Sequence, residues 1–75
     1  MNRTHWTNEQ ETLNAMLVDF ARNYKGDAET FVDKAHEVVE AVKGSLGWSM
    51  KESQAEEVAI LTAERFSIPS KFERA

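Results

Sequence analysis

The places in this chain where chemistry could reside are two histidines, a polar run beside a glycine turn, and two rows of carboxylates. His36 has Asp33 three residues before it and Glu40 four residues after it. On a helix those positions lie close together, and a histidine with carboxylates at such spacing can hold a metal ion. Two solvated carboxylates are a weak ligand set, however, and the plainer reading is a surface histidine supported by Glu40. His5 stands beside Trp6, ahead of the first helix, in a segment expected to be loose. No serine, lysine or carboxylate pair falls in a nucleophile motif. Cysteine is absent, which removes thiolate chemistry, disulfides and thiolate-bound zinc. We therefore expect no catalytic residue, no metal site and no cofactor, and the sequence argues against an enzyme.

The stretch "GSLGWSMKESQAEE" raises a second possibility. A glycine-containing turn between two apolar helical patterns has the layout of a helix-turn-helix. Ser49, Lys51, Ser53 and Gln54 would then stand near the start of a reading helix, and all are residue types that contact bases or phosphates. Glu52, Glu56 and Glu57 crowd the same segment and would repel a phosphate backbone, and no arginine occurs in it before Arg65. A corner in a bundle accounts for the same residues: Gly44 and Gly47 permit the turn, Leu46 and Trp48 plug the bundle end, and serine caps the next helix. That reading is preferred, and the helix-turn-helix regulator is kept as the alternative.

Carboxylates are spread over two helix exteriors, Asp33, Glu37 and Glu40 on one and Glu52, Glu56, Glu57 and Glu64 on the other. Lys34, Lys43, Lys51 and Arg65 dilute them, so the density falls short of what an imitation of DNA needs. Ile60 stands out more. At 100° per residue it falls opposite the apolar face of its helix, framed by Ser53, Glu56, Glu57, Ala63 and Glu64. An apolar residue centred in a polar frame is how a contact surface with a polar rim is built. Val18 is displaced from the apolar stripe of the first helix in the same way. Ile60, Glu56, Glu57, Glu64, Ser53 and Val18 are thus the candidate partner-binding residues.

The elements that must carry these residues are legible from period and caps. Thr7 with Gln10 three positions on makes a capping box. Leu13, Met16, Leu17, Phe20, Ala21 and Tyr24 then follow helical spacing, predicting a helix over about 8–25 closed by Gly26. Asp27 caps a second helix over about 28–43, with Phe31, Val32, Ala35, Val38, Val39 and Val42 as its apolar face and Gly44 as its end. Its valines favour strands, but the 3.6-residue period decides for a helix. Ser49 and Ser53 each have a glutamate three positions on and compete to start a third helix, about 50–66. Its inner half gathers Met50, Ala55, Val58, Ala59, Leu61, Thr62 and Phe66. Pro69 suits the first turn of a short C-terminal helix, 69–74, and Phe72 is placed to fold back on the core.

The expected fold is all-α, a small three- to four-helix bundle or a pair of helices crossed by a third, in one domain over residues 1–75. Phe20, Tyr24, Phe31 and Phe66 are expected in its core. With 75 residues and 41% hydrophobic content such a core is marginal, which makes a homodimer plausible. The net charge of −4 argues against nucleic acid and anionic lipid as partners. Residues 1–10 lack the apolar segment of a signal peptide, and no apolar run reaches membrane-spanning length. Together these features lead to the expectation of a cytoplasmic, non-enzymatic protein-interaction module or regulator. Its size and its start at Met1 are of the kind seen in accessory or phage-encoded modulators of a host protein. Docking is expected through an acidic helix face.

Overall fold

The computed structural model describes residues 5–72 and is all-helical, with three helices and no strand among the described residues: α1 (Asn8–Ala21), α2 (Ala28–Leu46) and α3 (Glu52–Arg65). Helix α3 packs against both α1 and α2, while α1 and α2 hardly touch each other directly. This is the arrangement in which two helices are joined by a third.

Helix α1 begins as its sequence predicts. Thr7 is extended, its hydroxyl oxygen accepts the Gln10 N–H (3.2 Å), and Gln10 Oε1 accepts the Thr7 N–H (3.0 Å). The end comes a turn early. Asn23 and Tyr24 donate to the carbonyls of Phe20 and Ala21, tightening the chain after Ala21, and Gly26 does not take the left-handed conformation expected of a cap. Gly26 is there for space: a β-carbon on it would collide with the Tyr24 side chain. Tyr24 Oη lies over that glycine and donates to the Asp27 carbonyl (2.8 Å). Burial, with Asp27 nearby, raises the Tyr24 pKa above its usual value and keeps this donor protonated.

Helix α2 starts where expected, with Asp27 Oδ1 accepting the Thr30 N–H (2.8 Å). It then runs past Gly44 to Leu46. A single glycine costs a helix only about 1 kcal/mol, too little to stop it. The true cap is Gly47, at φ 66°, and the Trp48 N–H returns to the Lys43 carbonyl (3.1 Å). The extra turn leaves Leu46 exposed rather than plugging the end, and brings Trp48 and Met50 back onto the core.

Neither Ser49 nor Ser53 caps α3. Lys51 is the extended residue before it, and Gln54 Oε1 accepts the Lys51 N–H (2.9 Å). The Ser49 N–H is held instead by the Glu9 carboxylate of α1 (3.1 and 3.3 Å), while Met50 points inward. At the other end Ser67 adopts φ 54°, a left-handed position usually given to glycine, and the Ile68 N–H returns to Ala63 O (2.9 Å). The chain thereby folds back as a strap along the start of α2. No fourth helix forms among the described residues of 66–72; residues 73–74 of that expectation lie outside them. Phe72 is 78% exposed and does not reach the core.

Buried apolar side chains come from every element: Leu13, Leu17 and Ala21; Phe31, Ala35 and Val39; Met50; and Ala55, Val58, Ala59 and Ala63. Alanines on α3 let its neighbours approach closely. Ala63, expected in the frame around Ile60, is therefore core, whereas Leu61 is only half-buried. The aromatic expectation holds in part. Phe31 is fully buried and Tyr24 half-buried, but Phe20 is 40% exposed and Phe66 also reaches the surface. Phe20 stacks on Phe31 (centroids 5.7 Å, 18°) and Tyr24 meets it edge-on (5.3 Å, 62°), so two rings from the α1 end roof the one beneath. Polar groups inside are matched: Thr62 Oγ1 donates to Val58 O (2.8 Å) and lies 3.3 Å from Asn14 Oδ1. Among the described residues no buried side-chain nitrogen or oxygen lacks a partner.

Candidate docking groove between α2 and α3

Ile60 sits at the floor of a groove, 36% exposed, with Glu56 and Glu64 one turn to either side of it on α3. The opposite wall is the start of α2, through Ala28, Glu29, Val32 and Asp33. Its end is closed by the strap, through Ile68 and Ser70. The open groove has a volume of about 460 Å³. Ala28, Val32, Ile60, Ala63 and Ile68 give it an apolar floor, and among the described residues four carboxylates edge it and no lysine, arginine or histidine lines it.

Local structure explains how the strap is held. Pro69 has a carbonyl but no N–H to satisfy, and that carbonyl accepts the Ala28 N–H (2.9 Å), one of the donors left open at a helix start. Glu29, in the first turn of α2, accepts the Ser70 hydroxyl (2.6 Å) and the Lys71 N–H (2.9 Å). Those two donors, the hydroxyl first, lower the Glu29 pKa below its ordinary value.

Of the residues proposed from sequence, the fold brings Ile60, Glu56 and Glu64 into this groove. Ser53 is exposed on α3 outside it. Glu57 turns to the other side, where it accepts the Trp6 indole N–H. Val18 lines a separate concavity of about 400 Å³ with Asn14, Ala15, Asp19, Arg22 and Arg65. Ile60 and Val18 therefore belong to different surfaces. Sequence reasoning missed Val32, assigned to the apolar face of α2, and Ile68, to which it gave no role. The packing of α2 on α3 sets Val32 across from Ile60 and the strap brings Ile68 there; the one signal for the strap was Pro69, which forbids a continued α3.

His36 borders a third, smaller hollow with Glu40, Lys43 and Glu52. No group of three or more histidine, aspartate or glutamate side chains among the described residues is arranged to hold a metal ion. No helix among them is long and apolar enough to cross a membrane. Comparisons with protein-family models, with curated proteins and with solved structures return no match.

Proposed function

We propose that this chain is a small non-enzymatic protein-interaction module or regulator, acting in the cytoplasm by docking the α2–α3 groove onto a partner protein. A modulator of a host or accessory protein is the kind of molecule this reading describes. The supporting observation is the groove itself: an apolar floor centred on Ile60 and edged by carboxylates, which is the layout of an interface core with a polar rim. Over a third of Ile60 faces water in the isolated chain. Covering it recovers a share of the ~1.5–3 kcal/mol that full burial of such a side chain is worth.

Affinity capture with wild type, Ile60→Asp and Val18→Asp in parallel tests the reading, each variant first checked for native helicity. A partner retained by wild type and Val18→Asp but lost at least tenfold by Ile60→Asp is expected. Equal retention by all three would place docking elsewhere. Sedimentation of the same variants asks whether the partner is a second copy, since a two-fold contact would use this groove on both chains.

A further inference from the structure

The groove's charge pattern restricts what can fill it. Glu56, Ile60 and Glu64 follow one another at four-residue intervals and form one stripe of α3, with about 6 Å of rise between neighbours. Across from them Asp33 stands beside Val32 on α2. Glu29 is occupied in holding the strap. Asp33, Glu56 and Glu64 make no ion pair with any described residue. In the open groove water solvates these carboxylates. An occupant that covers Ile60 strips part of that water and must replace it with cations or hydrogen-bond donors. A neutral or acidic segment leaves three charges partly desolvated and unpaired.

Spacing narrows the class further. Two carboxylates about 12 Å apart, with an apolar anchor midway, are matched by a helix carrying an apolar residue and a basic residue one turn to each side of it. Resting on the docking role proposed above, we infer that the groove takes a basic amphipathic helix of a partner protein. Its apolar side chain enters between Val32, Ile60 and Ile68, and lysine or arginine at i−4 and i+4 pairs with Glu56 and Glu64.

A second copy of this chain does not fit that description. Helix α1 contains no lysine or arginine, α3 has only Arg65, and Lys34 and Lys43 of α2 miss the eight-residue spacing. Two copies at −4 each also repel. Nucleic acid is excluded by the same carboxylates.

The test is a displayed library of random helical peptides, panned on the full chain and counter-selected on Ile60→Asp. Ile60→Ala replaces the counter-selector if the aspartate variant loses its helicity. Peptides specific to wild type are expected to share an apolar residue with lysine or arginine four positions before and after it. They should lose at least tenfold in affinity on Glu56→Lys/Glu64→Lys, whose substituted positions are exposed. Their binding should also weaken as salt rises from about 0.05 to 0.5 M, where the Debye length falls toward the ion-pair scale. Groove-dependent peptides that are neutral or acidic, or that ignore the charge reversal, overturn the basic-helix inference and leave docking at Ile60 standing. If no peptide distinguishes wild type from the Ile60 variants, the docking role itself fails and the inference with it.

Discussion

Truncating Phe31 and Phe20 separately to alanine measures how the fold distributes its stability. Phe31 is fully buried, beneath both Phe20 and Tyr24, whereas Phe20 keeps 40% of its surface in water. A fully buried phenylalanine costs about 3–5 kcal/mol on truncation. Phe31→Ala also dissolves two ring contacts, each worth ~0.5–1.5 kcal/mol, so its loss belongs at the top of that range. Phe20 buries roughly three-fifths as much, which puts Phe20→Ala at about 2–3 kcal/mol. A domain of this length has only ~4–11 kcal/mol in total. Phe20→Ala should therefore fold with a lowered midpoint, and Phe31→Ala should be largely unfolded or close to it. Urea unfolding followed by far-ultraviolet circular dichroism reads both, with the slope checked for constancy. Equal losses, or a loss under ~1.5 kcal/mol for Phe31→Ala, would refute the placement of Phe31 beneath the Phe20 and Tyr24 rings.

Gly44→Ala should stabilise by about 0.5–1 kcal/mol, because Gly44 is helical with open space around it, while Gly47→Ala should cost ~1–2 kcal/mol at φ 66°; the reverse order in thermal melts would put the cap back at Gly44. Ser67→Gly should gain ~0.5–1 kcal/mol, the relief of a left-handed serine less the added freedom of the unfolded chain, and a loss on denaturant unfolding would contradict it. The Glu29 pKa is lowered in the folded chain, so its hold on the strap is complete above the ordinary glutamate value and is lost as pH falls through the lowered one. The protection factor of the Lys71 amide, its exchange rate taken against the intrinsic rate at each pH, should fall toward acid across that window, and Glu29→Ala should remove the protection at every pH; an unchanged protection factor in either case would detach Glu29 from the strap. Duplex DNA should not bind appreciably at physiological salt, and salt-sensitive submicromolar binding abolished by Lys51→Glu would promote the helix-turn-helix alternative.

Where a cap depends on one side chain, the sequence was readable. Thr7 with Gln10 and Asp27 with Thr30 are local hydrogen bonds, and both starts lie where the pattern puts them. Ends and the third start were harder because tertiary contacts decide them. Gly44 and Gly47 are equivalent as letters, and the choice falls to the turn that returns Trp48 and Met50 to the core. Ser49 is a better cap than Lys51 by type, yet its N–H is held by Glu9, forty residues away in sequence. The groove was half legible. Period alone put Ile60 opposite the apolar face of α3 with Glu56 and Glu64 about it, whereas the fold leaves it 36% exposed in the groove beside Val32 and Ile68. The groove's closed end needs the strap, and the strap needs a serine in a conformation that serine seldom adopts.

Docking at Ile60 is tested most directly by amide chemical-shift mapping of the ¹⁵N-labelled full chain, titrated with the partner recovered by capture. The account predicts that the largest shifts fall on residues 28–33, 56–64 and 68–70, and that they vanish for folded Ile60→Asp. Shifts centred on the Val18 concavity or on the 47–54 turn, with the groove silent, would contradict it.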